Sequence, residues 1–275
     1  MRINWLFLLV CAVYTWLGLG SEILIIFASV LLHELSHTIM AKILRVQVAE
    51  VELLPFGGQA KIEDFTGLDP DREIYIALAG PIMSLSLAAF FYLLPPHLLH
   101  KTPLLLQINL FLGLFNLLPA LPLDGGRILR AILSLRIGYK RATSVAAGLG
   151  KTIAILLCAY GGYLFYLQQS GANHILAGLI LFWAARREGL LLGYAFMRYL
   201  VNKKSELANK GFLASHQVVS FEDTLIKSIL ASTRPGYYTM VMVLDQQHMP
   251  QGLISEAQMI ESLLNHGPRV RLKDC

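Results

Sequence analysis

The chain has 275 residues, of which 55% are hydrophobic and only 15% are charged. Soluble proteins usually carry about 25% charged residues, so this composition excludes a wholly soluble protein and predicts an integral membrane protein with one small soluble domain. The net charge of +5 is modest and gives little support to nucleic-acid binding. The three cysteines show neither metal-binding spacing nor a pairing pattern, which argues against a disulfide framework.

Long apolar segments predict six membrane spans. The first is interpreted as a retained membrane helix rather than a signal peptide, because only Arg2 precedes it and a second span follows almost at once. The last is interrupted by Arg186, Arg187 and Glu188, where the helix is expected to leave the membrane. The predicted spans cover residues 4–20, 22–43, 73–95, 103–119, 146–168 and 173–197.

Lysine and arginine residues accumulate on one side of these spans. With the N-terminus in the cytoplasm, the cytoplasmic loops hold most of the basic residues, whereas the opposite loops hold essentially Lys101 alone. Because basic residues mark cytoplasmic loops, both termini are predicted to be cytoplasmic.

The second predicted span contains an H-E-x-x-H motif, formed by His33, Glu34 and His37. Histidines four residues apart lie on one face of a helix, so both imidazoles can bind one zinc ion, and Glu34 is predicted to act as general base. Buried polar groups within a bilayer are costly and mark functional sites. The alternative is a pair of core histidines satisfied by hydrogen bonds.

The segment after the second span is too polar to be another span. Alternation of apolar and polar residues in Val46–Val48 and in Glu50–Leu53 predicts strand structure, and the glycines in Phe56–Gln59 predict a turn. A strand or hairpin beside the histidine motif is therefore expected. The alternative is an ordinary cytoplasmic connector.

A third zinc ligand must come from another part of the chain, and Asp124 is the best candidate. It follows the fourth span among apolar residues, at the cytoplasmic level assigned to the histidines. Its carboxylate would complete a catalytic zinc site, while the competing interpretation makes it only the N-cap of a helix over residues 125–135. In the third span, Gly80-Pro81 is interpreted either as a kink near the site or as a packing feature.

After residue 200 the sequence becomes that of a soluble protein. Residues 201–212 are predicted to form a linker, and residues 213–275 a cytoplasmic domain with strands and helices in the order β-α-β-β-α. Ser255 and Gln258 predict a capping box at the start of its last helix.

This domain resembles one CBS (cystathionine β-synthase) motif, on Val241–Asp245 and Gly252–Ser255. CBS motifs work in pairs and the chain holds one, so the resemblance implies a homo-oligomer. It also implies ATP as a ligand, although Gln258 stands where an aspartate often contacts the ribose. The alternative is a domain that only docks substrate or oligomerises.

The membrane region resembles the site-2 protease family of intramembrane zinc metalloproteases. The resemblance rests on the histidine motif followed by Asn116-x₅-Pro122-x-Asp124-Gly125. It implies a polytopic α-helical membrane protein with about six transmembrane helices and a membrane-associated β-hairpin over residues 1–200, plus a small α/β CBS domain. The residues it implies are the zinc ligands His33, His37 and Asp124, the general base Glu34, and the substrate-positioning residues Asn116, Pro122 and Gly125.

The CBS-like domain suggests the sporulation subgroup of this family, which processes the precursor of sigma factor K. The resemblance therefore implies a membrane-associated pro-sigma factor as substrate and a location in the mother-cell membrane surrounding the forespore. It also implies two inhibitory membrane proteins as partners, stage IV sporulation protein FA and BofA. The alternative is a CBS-regulated membrane transporter in which the histidines and the glutamate form an ion site.

Overall fold

A computed structural model of the chain describes residues 2–3, 20–46, 50–54, 57–61, 69–95, 102–168, 171–189, 211–233 and 237–275. The first predicted span and most of the predicted linker lie outside these residues. The chain divides into two compact units. The first comprises Met1–Phe65, Asp71–Leu129 and Ala146–Ala185, and the second comprises Thr66–Pro70, Arg130–Val145 and Arg186–Cys275.

The described residues before residue 190 are mainly helical, and among them two short strands and one very short strand accompany the helices. In chain order the elements are β1 (Arg2–Ile3), α1 (Gly20–Ile43), β2 (Glu50–Leu54), β3 (Gly57–Lys61), α2 (Pro70–Leu93), α3 (Thr102–Asn116), α4 (Asp124–Ile137), α5 (Tyr139–Tyr166) and α6 (residues 172–189).

Three of the described helices are long and apolar enough to cross a membrane. They are Glu22–Ile43, Pro70–Leu93 and Tyr139–Tyr166, which correspond to the second, third and fifth predicted spans. The helix Pro103–Asn116 is apolar but shorter. These helices support an integral membrane protein, while the count of six spans stays a prediction.

Helix α5 begins seven residues before the predicted span, at Tyr139 rather than at residue 146. The helix therefore includes Lys140, Arg141 and Lys151. Hydropathy locates the apolar run but not the helix start, which here follows Gly138, a glycine with a φ of 82° between α4 and α5.

The predicted hairpin is confirmed by the antiparallel pairing of β2 with β3, from Glu50 opposite Lys61 to Leu54 opposite Gly57. Strand β1 pairs with β2 in parallel and completes a three-stranded sheet. The predicted position of the turn was wrong, because the glycines 57 and 58 lie inside β3. A connection of two residues is enough for a hairpin, so the glycines are not needed there. Strand β3 runs beside α1.

Helices α1, α2 and α3 pack closely. The Asn109 amide nitrogen on α3 donates a hydrogen bond to the Ser29 hydroxyl on α1, at 3.1 Å. Gly113 on α3 approaches α2 so closely that a Cβ there would lie 2.8 Å from Leu85 Cγ. Small residues allow membrane helices to approach in this way. Helix α3 is thus joined to a polar side chain of α1 by a hydrogen bond and packs closely against α2.

The second unit contains the predicted β-α-β-β-α order. Its sheet has the order β4-β5-β6, with β4 parallel and β6 antiparallel to β5. The capping box is confirmed, because Ser255 accepts from the Gln258 backbone N–H and Gln258 accepts from that of Ser255. Whether this unit is a CBS domain stays a prediction. The elements are β4 (Ala214–Phe221), α7 (Ile226–Leu230), β5 (Tyr237–Leu244), β6 (Pro250–Ser255), α8 (Glu256–His266) and a 3₁₀ turn (Leu272–Asp274).

Tyr139, the first residue of α5, belongs to the hydrophobic core of this second unit. It is 2% exposed and packs with residues such as Ile226 and Val241, and the Arg130 guanidinium lies 5.4 Å from its ring centre. A Cβ on Gly138 would approach the Thr233 carbonyl oxygen to 3.0 Å. The connection between α4 and α5 is thus part of the core around β4 to α8.

Candidate metal centre

Helix α1 places the two histidines of the H-E-x-x-H motif on one buried face. His33 and His37 are each 3% exposed. Their rings meet edge to face, with centres 4.9 Å apart. The spacing of one helical turn thus produces the paired imidazoles that the sequence predicts.

Asp124, the first residue of α4, brings its carboxylate to both histidines. Its Oδ2 atom lies 3.1 Å from His33 Nε2 and 3.2 Å from His37 Nε2. In a tetrahedral zinc site with bonds of about 2.0 Å, neighbouring ligand atoms are about 3.3 Å apart. Both nitrogen–oxygen distances therefore match the spacing of neighbouring ligands in such a site, all three donors lie within 4.8 Å of one another, and Asp124 is not merely a helix cap.

Hydrogen bonding to the other ring nitrogens supports a cation at this position. His37 Nδ1 donates to the Ile76 carbonyl oxygen at 2.7 Å, since a carbonyl can only accept. The Nε2 atom of a neutral His37 is then an acceptor, yet it faces the acceptor Oδ2 of Asp124. A cation between them resolves this conflict, and the approach of His33 Nε2 to the same oxygen favours a metal ion over a proton.

Two imidazole nitrogens and one carboxylate oxygen are a donor set of catalytic zinc sites, which leave a fourth position open. These three residues are the metal-compatible group found among the described residues, and all three are buried. Burial raises the pKa of the Asp124 carboxyl, but hydrogen bonds with the histidines and the charge of Arg127 outweigh it and hold that pKa below its usual range. The residues fit zinc.

Helix α2 supplies contacts to this centre that sequence reasoning missed. The Ser84 hydroxyl lies 2.9 Å from His33 Nδ1, and the Ile76 carbonyl accepts from His37. Such outer contacts fix the orientation of metal-binding imidazoles. Gly80, between them in sequence, has no room for a side chain, because a Cβ would lie 2.6 Å from His33 Nε2 and still closer to the His37 ring.

This geometry gives Gly80 a specific role. The sequence interpretation left Gly80-Pro81 as a kink or a packing feature, whereas the structure shows that both imidazoles pass over the α carbon of Gly80. The sequence signal that was overlooked is the spacing of Ile76, Gly80 and Ser84, which stand four residues apart and therefore on one helix face.

Glu34 is half-buried on α1 and interacts electrostatically with His33, His37 and Asp124. It is thus part of the charged centre without being one of the three converging donors. Its role as general base stays a prediction.

The three residues predicted to position substrate lie between the last residue of α3 and the second residue of α4. The Asn116 amide nitrogen donates to the Leu112 carbonyl within α3, at 2.9 Å. Pro122 follows a cis peptide bond. Gly125 packs against the backbone of Leu117 and Leu118, where a Cβ would overlap their carbonyl groups. Gly125 therefore has a packing role that brings α4 to the centre, and substrate contact by all three stays a prediction.

The sequence matches peptidase family M50 over residues 21–99 and 97–159. A zinc metalloprotease of Methanocaldococcus jannaschii is 36% identical over 171 residues, covering 60% of this chain and 48% of that protein. Stage IV sporulation protein FB of Bacillus subtilis is 28% identical over 156 residues, covering 56% of this chain and 54% of that protein. The chain thus spans about half the length of these curated relatives.

The fold is also similar to a solved structure, the site-2 protease from Methanocaldococcus jannaschii. The TM-score is 0.53 at 32% identity, over 68% of this chain and 89% of that one. The family match extends across half of the chain and includes the two histidines and Asp124. The chain therefore belongs to peptidase family M50.

Proposed function

We propose that the chain is an intramembrane zinc metalloendopeptidase of the site-2 protease type. The observation that carries this proposal is the convergence of His33 Nε2, His37 Nε2 and Asp124 Oδ2 between helices apolar enough to cross a membrane. Family membership and the similarity to a site-2 protease fold support it.

The mechanism assigns each residue a chemical task. His33, His37 and Asp124 would hold the zinc ion, which when bound would polarise a peptide carbonyl and lower the pKa of water. Glu34 accepts a proton from the attacking water and returns it to the leaving amine nitrogen, so that acid and base steps balance. Ser84 and the Ile76 carbonyl keep both imidazoles oriented with Nε2 toward the ligand position.

For the substrate we propose a membrane-associated pro-sigma factor of the sporulation type. The support is the similarity to stage IV sporulation protein FB and the predicted cytoplasmic level of the centre. On this proposal the chain lies in the mother-cell membrane around the forespore, with both termini cytoplasmic. Stage IV sporulation protein FA and BofA stay predicted partners.

Co-expression with a candidate pro-sigma factor tests this function. The intact chain should shorten the factor, and Asp124→Ala should not, because two imidazoles without the carboxylate hold zinc poorly. Immunoblotting for the processed factor measures the outcome. Processing by Asp124→Ala would contradict the mechanism, whereas processing of unrelated membrane proteins alone would contradict only the substrate.

ATP at the C-terminal domain stays a prediction without structural support. Gln258, which stands at the expected ribose contact, is engaged in the capping box with Ser255.

The expected homo-oligomer has support in the second unit. Val219, Met242 and Leu253 lie side by side across β4, β5 and β6, on the sheet face opposite the core. They are 60%, 36% and 55% exposed. The neighbouring row on this face is Gln217, Met240 and Ser255, so neither row contains a charged residue.

This surface fits a second copy of the chain better than an anionic membrane surface, which would attract lysine and arginine. A twofold axis through the middle of this face would bring Met242 of one copy near Met242 of the other, and an uncharged apolar face avoids repulsion there.

Met242→Lys should weaken self-association about tenfold or more, because like charges facing each other at an interface cost several kcal/mol. Sedimentation of the purified chain in detergent measures the mass. Met249→Lys is the matched control, because Met249 is 61% exposed but lies in the β5–β6 connection. A monomeric wild type, or equal masses for Met242→Lys and wild type, would refute this interface.

A further inference from the structure

The two oxygens of the Asp124 carboxylate have different neighbours. Oδ2 faces His33 and His37, whereas Oδ1 faces Arg127 Nη1 at 3.8 Å. Arg127 lies one turn further along α4, and its side chain is 29% exposed while that of Asp124 is 8% exposed. The carboxylate is thus held between the metal position and a guanidinium group.

We propose that Arg127 is a positioning residue that holds Asp124 Oδ1 and thereby makes Asp124 a one-oxygen ligand. The inference rests on the proposed zinc site. A carboxylate can bind a metal ion through one oxygen or through both, and the second oxygen would fill a position that water or substrate needs. An ion pair to Oδ1 restrains this rotation, because the guanidinium is always charged and is fixed to the same helix.

The charge of Arg127 has a second consequence for the buried centre. Glu34 and Asp124 are two acidic groups close together, and Arg127 interacts electrostatically with both. Carboxylates of like charge repel each other, and a nearby cation offsets this repulsion. Arg127 therefore reduces the repulsion between Glu34 and Asp124, and its ion pair with Oδ1 keeps the Asp124 carboxylate in place.

An ordinary helix pair three residues apart would make the same contact without influencing the metal, so the test must report on coordination. The purified chain, Arg127→Met and Arg127→Lys are stripped of metal and reloaded with zinc or Co²⁺. Chelator competition gives zinc affinity, and the Co²⁺ d–d absorption reports coordination number, being stronger for four ligands than for five. Arg136→Met, at an exposed arginine in the last turn of α4, is the matched control.

We expect Arg127→Met to bind zinc about 10- to 100-fold more weakly, as is typical for removal of outer contacts to a ligand. Its Co²⁺ bands should weaken as Asp124 binds through both oxygens. The zinc affinity and Co²⁺ absorption of Arg127→Lys should lie between those of wild type and Arg127→Met, because lysine keeps the positive charge but lacks the planar guanidinium group. Arg136→Met should match wild type in both measurements.

Two results would overturn the inference while leaving the proposed function intact. One is unchanged zinc affinity in Arg127→Met, and the other is weaker affinity with a wild-type Co²⁺ spectrum in both Arg127 variants. Failure of the wild-type chain to bind zinc or Co²⁺ would instead overturn the proposed function together with the inference.

Discussion

Glu34→Gln is expected to keep zinc bound and to lose proteolysis. The amide has nearly the shape of the carboxylate, and Glu34 is not one of the three converging donors, so the zinc site should persist. A neutral amide cannot accept the proton from the attacking water, and general acid–base groups contribute about 10²- to 10⁴-fold to rate. Metal analysis of the purified variant and processing of a co-expressed substrate measure the two properties separately.

This variant also separates an enzyme from a transporter. An ion carrier built on the same histidines and glutamate would show altered ion flux in Glu34→Gln and no proteolysis in either form. Asp124→Ala is the complementary control, since it should lose both zinc and cleavage. Full cleavage by Glu34→Gln would exclude Glu34 as the general base, and loss of zinc would assign it to the metal site.

The three predicted zinc ligands could be singled out from the sequence because their chemistry is unusual for its surroundings. His33 and His37 stand one helical turn apart in an apolar run, and Asp124 is an acidic group that follows another apolar run. Few structural explanations exist for such groups in a membrane protein. The structure confirms that the three meet, although 87 residues or more separate Asp124 from the histidines.

The contacts from α2 could not be predicted in the same way. Ser84, Gly80 and the Ile76 carbonyl act through the packing of α2 against α1, and a single sequence does not specify which faces of two apolar helices meet. The role of the Ile76 carbonyl also cannot be read from residue type, because every residue has a backbone carbonyl. The burial of Tyr139 was also missed, because it depends on contacts with strands about 80 residues or more further along the chain.

Local signals predicted the small elements well and their boundaries less well. The hairpin and the capping box depend on neighbouring residues and are confirmed. Helix α5 begins earlier than the predicted fifth span, because helix formation continues beyond the apolar run that hydropathy detects. The CBS assignment depends on the pairing and ligand of the domain, which the element order alone does not specify.

Gly80→Ala is expected to weaken zinc binding strongly through a single methyl group. The added Cβ would lie 2.6 Å from His33 Nε2 and closer still to the His37 ring. Neither ring can swing away freely, because Ser84 and Ile76 hold their Nδ1 atoms. The rings or the whole of α2 must therefore move, and the movement separates the donors from Asp124. Zinc affinity should fall by at least about 10- to 100-fold, as for loss of other supporting contacts.

The matched control is Gly162→Ala on α5, a helical position with nothing within 4 Å of an added Cβ. Alanine favours a helix by about 1 kcal/mol relative to glycine, so this variant should fold at least as well as wild type and bind zinc normally. Gly80→Ala gains the same helix propensity, and a loss of zinc limited to this variant therefore reports the collision with the imidazoles. If Gly80→Ala bound zinc with wild-type affinity, the close approach of both rings to α2 would not be required for the metal centre.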